Sequence, residues 1–249
     1  MSGVDAFRLD GKVAVVTGGS RGIGRAIAEL FRDAGAEVWI TSRSAESAAE
    51  HAEGIGGVHG VGCDVSDPAQ VQALFATVAE ASGGTDVLVC AAGLSSAAKA
   101  AEVTLDEMRR MHEVHVLGSL ACAQAAFPQM KERGGGAVLL VASVWGLGGQ
   151  PGTLPYGVAK AGLVHAVKVM AIEWARHSIR VNGLAPGFIE TDMTAEVAPA
   201  IKDKLLSRVP MRRGGRPDEM AGPALLLCSE AGSYVTGQVL VADGGERAR

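Results

Sequence analysis

Aromatic side chains are scarce in this sequence: Phe, Trp and Tyr make up 4% of 249 residues, and only two of them are tyrosines. The core must therefore be built from Ala, Val, Leu and Ile, a mixture that suits buried parallel strands covered by alanine-rich helices. Cysteine is sparse as well. Cys63, Cys90, Cys122 and Cys228 lie far apart and form no C-x-x-C pair. That argues against metal ligation and for reduced thiols in a cytoplasmic setting. No apolar run approaches the ~20 residues of a membrane span. The opening "MSGVDAFRLDGK" lacks a basic region followed by an apolar stretch, so a secretory signal is not expected. Charge of one sign is missing too: the formal net charge is -4, with acids and bases interspersed. This excludes a nucleic-acid footprint and a polybasic membrane anchor.

What the chain does contain is a regular alternation of short β-like runs and longer helical patterns, which predicts βαβ units and a parallel sheet. Seven strands are expected, in "KVAVVTGG", "EVWITS", "GVGCDV", "TDVLVCAAG", "AVLLVAS", "IRVNGLAPG" and "GQVLVADGG". After the first, Ile23, Ala26, Ile27, Leu30, Phe31 and Ala34 fall at helical spacing until Gly35. Ser66 and Pro68 predict an N-cap and a first-turn proline. Helices are also expected from about Thr104 to Arg133 and from near Tyr156 to Ala175. One long irregular piece, Phe188 to Pro217, reads as a substrate lid rather than padding. There is no internal repeat or linker, so residues 1–249 are expected to form a single domain.

"TGGSRGIG" (Thr17 to Gly24) stands between the first strand and the first helix. Glycines there let the backbone turn tightly and approach a pyrophosphate, and the helix N-terminus supplies free N–H groups and partial positive charge. At the other functional pole, Tyr156 and Lys160 are four apart on a predicted helix and share a face. A phenol titrates near ~10. A neighbouring ammonium is expected to lower that value towards the pH range where general acid–base catalysis works well. Ser143 closes the fifth strand, and ligands in open α/β sheets bind beyond the carboxyl ends of strands. Each residue alone has an ordinary structural explanation: an amphipathic helix face, or a turn. Their joint occurrence after a dinucleotide-type loop makes them the candidate active site.

Taken together, the glycine loop in its G-x-x-x-G-x-G spacing, "CDV", the alanine-glycine turn after strand four, Ser143, Tyr-x-x-x-Lys and "APG" resemble the short-chain dehydrogenase/reductase family over nearly the whole chain. The resemblance implies a Rossmann-type doubly wound fold. It further implies that Ser143 orients a carbonyl, that Tyr156 moves the proton, and that Lys160 depresses the tyrosine pKa and binds the nicotinamide ribose. By the same resemblance Gly18, Ser20, Arg21, Gly22, Ile23 and Gly24 hold the pyrophosphate region, and Asp64 and Val65 meet the adenine edge. Ala92 and Gly93 permit close backbone approach. Pro186 and Gly187 shape the nicotinamide end, where Ile189 and Thr191 hold the carboxamide, although Thr191 also fits a helix N-cap.

Cofactor choice is read at the end of strand two. An acid there favours NAD(H), whereas an arginine accommodates the 2′-phosphate of NADP(H). The residues are Ser42 and Arg43, with Arg21 as a second charge, so NADP(H) is expected.

Two positions depart from the family pattern. His115 stands where an asparagine usually supports a proton-relaying water, and it titrates near ~6.5 when unperturbed. "CAAG" (Cys90 to Gly93) replaces two asparagines, removing amides that tie neighbouring strands; Cys90 reads as a small buried hydrophobe.

The lid carries Met193, Val197, Ile201, Leu205, Leu206, Val209 and Met211, apolar residues suited to an acyl chain or a hydrophobic ketone. The "GFIETDM" and "RVP" runs are most similar to 3-oxoacyl-thioester reductases, with a secondary-alcohol, sugar or gluconate-type dehydrogenase as the alternative within the family and a non-catalytic NADP(H)-sensing protein as the alternative from a different class. An acidic acyl carrier protein would need basic residues at the entrance, for which Lys131, Arg133, Lys202, Lys204, Arg208, Arg212 and Arg213 are candidates. The family resemblance also implies a homo-oligomer, dimer or tetramer.

Overall fold

In the computed structural model, which describes residues 3–195 and 197–248, seven strands form one sheet in the order β3-β2-β1-β4-β5-β6-β7. They are β1 (Val13–Thr17), β2 (Glu37–Ser42), β3 (Val58–Gly62), β4 (Val87–Cys90), β5 (Gly136–Val141), β6 (Ile179–Pro186) and β7 (Val239–Ala242), and every pairing is parallel. The main helices are α1 (Gly22–Asp33), α2 (Ala45–Ile55), α3 (Pro68–Ser82), α4 (Leu105–His112), α5 (Gly118–Glu132) and α6 (Leu154–Trp174). They are followed by the short α7 (Asp192–Ala195) and α8 (Pro199–Leu206), and by α9 (Asp218–Cys228). Among the described residues no helix is long and apolar enough to cross a membrane.

Strand residues alternate between two faces. Ala14 and Val16 pack with Ile27 and Phe31 of α1 and Ala224 of α9. Val13 and Val15 pack with Phe75 of α3, Met130 of α5 and Leu163 of α6. Helices cover both faces, so every residue of β1 is buried, which is why the strand reads as an unbroken apolar run. Each large apolar side chain taken fully from water contributes about 1.5–3 kcal/mol.

Several local expectations change in the fold. The N-cap of α3 is Asp67, whose carboxylate accepts from Ala69 N and Gln70 N; the Ser66 hydroxyl instead donates to Asp64. The lid region is not irregular throughout, since α7 and α8 lie within it. Helices α2 and α9, which the sequence reading leaves unassigned, complete the covering of the sheet. Arg133 does not approach the cleft mouth. It clamps the buried Asp86 at the amino ends of the strands, opposite the cleft, donating from Nε at 2.9 Å and Nη2 at 2.7 Å, while Val13 N donates to the same carboxylate at 2.8 Å.

The strand order reverses at β1, which has β2 on one side and β4 on the other. A crevice opens at such a switch point beyond the carboxyl ends of the strands. Here the chain leaving β1 passes so close to the chain leaving β4 that a Cβ on Gly18 would lie 2.7 Å from Ala92 Cα. Gly18 also has φ +66, a left-handed conformation that glycine adopts without strain.

Candidate active site

The carboxyl ends of the strands border a cleft of about 1420 Å³. All the sequence-predicted cofactor residues line it, from the glycine loop through Ser42, Arg43, Asp64, Val65, Ala92 and Gly93 to Pro186, Gly187, Ile189 and Thr191. So do Ser143, Tyr156, Lys160 and His115. The residues that a sequence separates by more than a hundred positions thus share one wall. Of the lid residues, Met193, Val197, Ile201 and Leu205 face the cleft, joined by Phe188. Leu206, Val209 and Met211 do not line it: Val209 is buried, so close to Gly244 that a Cβ there would lie 2.7 Å from Val209 Cγ1, and Met211 is exposed.

The glycine loop fits a dinucleotide. A Cβ on Gly24 would meet Gly18 O at 2.3 Å, so the loop closes only with glycine there. No side chain caps α1, whose N-cap residue is Arg21, so first-turn N–H groups are left for an anion. Thr191 faces this loop, its Cγ2 3.3 Å from where a Gly22 Cβ would stand. Among the described residues, Arg21 and Arg43 make no ion pair or side-chain hydrogen bond. They line the same end of the cleft as two residues the sequence reading missed, Ser47 and His51 on α2. Ser47 Oγ lies 2.8 Å from Ser42 Oγ, and His51 Nδ1 lies 2.6 Å from Ser47 O. Ser47 and His51 stand four apart, a helical spacing in the sequence that becomes informative only once α2 follows β2.

At the opposite end, Ser143 is extended (φ -168) and its hydroxyl accepts from Trp145 N at 3.2 Å, opening a single tight turn through Gly146. That turn presses on α6: a Cβ on Gly146 would lie 2.6 Å from the carbonyl carbon of Lys160. Lys160 answers by donating from Nζ to Val141 O at 2.6 Å, so α6 is tied to the end of β5 two residues before Ser143. The Tyr156 ring sits among three neighbours. Trp145 meets it edge-on at 5.9 Å and His115 edge-on at 5.3 Å between centroids, and Lys160 Nζ lies 5.5 Å from its centroid.

The electrostatics depart from the sequence expectation. Burial pushes the Tyr156 phenol up to about 12, with an opposing pull from the Ser143 hydroxyl, and the expected lowering by Lys160 does not emerge. The reason is that Lys160 is itself 5% exposed, and burial pushes its ammonium down to about 7. At neutral pH the phenol therefore keeps its proton, while the lysine is poised to carry or release one.

His115 is also not the free imidazole its type suggests. It lies in a widened turn, Glu113–Leu117, in which Gly118 N donates to Glu113 O five residues back. Burial and then the Lys160 charge push its pKa down to about 3, so the ring is neutral. Nε2 lies 2.9 Å from Leu94 O and 3.2 Å from Leu94 N, and the shorter contact fits a proton on Nε2 donated to the carbonyl. Nδ1 is then a bare acceptor, buried without a partner among the described residues.

The tie lost with the two asparagines is taken over by Thr17. Its Oγ1 donates to Val89 O at 3.4 Å and accepts from Ala92 N at 3.4 Å. Cys90 is buried, its thiol pushed up to about 12 by burial, and it does not reach the cleft. Among the described residues there is no group of three His, Cys, Asp or Glu able to hold a metal ion.

A sequence model of the family described as enoyl-(acyl carrier protein) reductase matches residues 18–246. The 3-oxoacyl-(acyl-carrier-protein) reductase of Aquifex aeolicus is 37% identical, the match covering 96% of this chain and 98% of that protein. The 7alpha-hydroxysteroid dehydrogenase of Escherichia coli is 35% identical over 97% of this chain and 96% of its own length. Among solved structures, a gluconate 5-dehydrogenase from Burkholderia cenocepacia in complex with NADP and tartrate superposes with a TM-score of 0.94 at 34% identity, covering 99% of both chains.

Proposed function

Since the chain belongs to the short-chain dehydrogenase/reductase family and is an oxidoreductase using a nicotinamide cofactor, we propose that it is an NADP(H)-dependent carbonyl reductase acting on a 3-oxoacyl thioester, carried by coenzyme A or an acyl carrier protein. The observation that carries this reading is the meeting of Ser143, Tyr156 and Lys160 at one end of a cleft whose other end is a glycine cradle with two unpaired arginines. Similarity to 3-oxoacyl reductases at 37% and 38% identity supports the thioester, as does the apolar lid. A steroid-, sugar- or gluconate-type alcohol dehydrogenase is the second reading, supported by the comparable identity to such enzymes.

When bound, the nicotinamide cofactor supplies a hydride to the carbonyl carbon. The protein's part is to hold the carbonyl and deliver a proton. Ser143, its oxygen lone pair engaged by Trp145 N, donates its O–H to the carbonyl oxygen and fixes its position. As negative charge grows on that oxygen, Tyr156 donates its phenolic proton, which it still carries at neutral pH because its pKa is about 12. The phenolate left behind is reprotonated from the Lys160 ammonium, the stronger acid of the two at about 7, and the amine then takes a proton back from solvent. We assign His115 as a positioning residue: its ring packs on Tyr156 and its Nε2 holds Leu94 at the cleft wall. The apolar lid residues exclude water from the hydride path.

Arg43 and Arg21 select the 2′-phosphate of NADP(H), and Asp64 and Val65 meet the adenine. Lys131, Lys202, Lys204, Arg208, Arg212 and Arg213 remain the basic candidates for a carrier protein, although Lys202 is paired with Glu190 and Arg213 with Glu219. Exposed apolar side chains at Leu117, just before α5, and at Val158, Val169 and Ile172 on α6 support assembly into a homo-oligomer through this face. Initial rates with 3-oxoacyl thioesters, simple ketones and polyols, each with both cofactors, test the reading. Tyr156→Phe should cut kcat by about 100-fold or more while NADPH still binds. A wild-type protein that binds NADPH yet reduces none of these carbonyls overturns it.

A further inference from the structure

A second concavity, of about 260 Å³, adjoins the substrate end of the cleft and shares Trp145 and Gln150 with it. Its near wall is the turn that follows Ser143, and Trp145, which meets Tyr156 edge-on, separates it from the candidate catalytic residues. Its far wall is cationic. Arg208 reaches in from the lid side and Arg247 from the C-terminal tail.

Both guanidinium groups are positioned but not neutralised. Arg208 Nη1 donates to Gln150 Oε1 at 2.8 Å, and Arg247 Nη2 donates to Leu147 O at 2.9 Å. Neither has a carboxylate within 4.0 Å among the described residues. Each therefore keeps donors in a fixed fork for a further acceptor. Arg247 also occupies the space beside Gly148, where a Cβ would stand 1.9 Å from its Nη1, so a side chain at that position would displace it. Glu246 also lines the pocket and is attracted by both arginines, but burial and Asp243 hold its carboxyl above the usual range. Asp243 is occupied by the backbone N–H groups of Gly245 and Arg247. Two guanidinium groups therefore line the pocket against a single carboxylate, Glu246.

We infer that this pocket is an anion-reading subsite: the substrate carries, beyond its reacting carbonyl, a carboxylate or phosphate held by Arg208 and Arg247. The inference rests on the reductase reading for the carbonyl, and it narrows the substrate to an amphiphile with an apolar body against the lid and an anionic end beside Trp145. The anion comes either from a free oxo acid or from the phosphate of a phosphopantetheine thioester.

Two paired comparisons distinguish these sources: an oxo carboxylic acid against its methyl ester, and a 3-oxoacyl phosphopantetheine against the dephosphorylated pantetheine. In one pair the charged member should exceed its neutral partner in kcat/KM by about tenfold, the scale of a charge-assisted hydrogen bond at a partly open site. Arg208→Gln, Arg247→Gln and Gly148→Ala should close that gap while the neutral partner stays within about twofold. Equal rates within both pairs, or equal losses on both members, overturn the inference. Calorimetric titration with a saturated carboxylate and with inorganic phosphate, neither reducible, gives a readout free of turnover. Binding to the wild type that weakens in both arginine variants supports the subsite even if no carbonyl is reduced, which would fault the reductase reading alone. Failure of both anions to bind overturns the subsite even if neutral ketones are reduced.

Discussion

Replacing Lys160 by methionine should make the protein more stable and abolish its chemistry. Lys160 is 5% exposed, and its ammonium falls from 10.5 to about 7 on folding because burial penalises the charge. At about 1.4 kcal/mol per pH unit, that fall corresponds to about 4–5 kcal/mol by which the folded state is disfavoured at neutral pH. The substitution also removes the hydrogen bond from Nζ to Val141 O, a loss of about 1–3 kcal/mol. Methionine is unbranched and fills a similar space, so Lys160→Met is expected to gain about 1–4 kcal/mol. For a chain of this size that raises Tm by roughly 2–15 °C. The pH dependence carries the stronger test. Below pH 7 the amine is protonated in both folded and unfolded chains, and the full penalty applies. Between pH 7 and 10.5 the folded protein releases the proton first, so the wild type regains stability as pH rises. Thermal melts of both proteins without cofactor, at steps from pH 6 to pH 10, should show the variant ahead at low pH and its lead shrinking steadily. A variant less stable than wild type at pH 6, or a difference independent of pH, would refute the reasoning. Reductase activity should be lost at every pH.

Other consequences are accessible to standard measurements. His115, held neutral with a pKa near 3, should show ring carbon chemical shifts that stay flat from pH 5 to pH 9; an inflection near 6.5 would mean the ring is exposed. His115→Asn should accordingly leave any pH–rate inflection in that range in place. Asp86→Asn removes the buried carboxylate that Arg133 and Val13 N engage and should cost about 1–3 kcal/mol, read as a lower Tm, with kcat/KM of the folded protein nearly unchanged because the clamp lies at the amino ends of the strands, away from the cleft. The four buried thiols, Cys63 pushed up to about 11 and Cys90 and Cys228 to about 12 by burial, should react with a disulfide reagent only on unfolding.

Much of the architecture was legible in one dimension because strand and helix patterns are local. Unbroken Val/Ile/Leu runs announced strands covered on both faces, and glycines with left-handed φ, such as Gly18, marked a turn that other residues adopt only with strain. The spacing of Tyr156 and Lys160 likewise put both on one helix wall. Capping was less legible: Ser66 and Asp67 are equally good caps by type, and only the path of the backbone into α3 chose the second. Helix α2 was missed because its apolar face is narrow, and with it went Ser47 and His51.

The sequence by itself determined the order of the elements, the glycine loop and the identity of the candidate catalytic side chains. The tertiary structure alone decided how those side chains ionise. Burial is a sum over atoms brought from distant parts of the chain, so no local pattern announces that Lys160 loses its proton more easily while Tyr156 and the thiols hold theirs. The same holds for Arg133, a candidate entrance cation by composition and, in the fold, the clamp on the buried Asp86. It holds also for Arg208 and Arg247, which only the packing of lid and tail brings to one pocket beside Trp145.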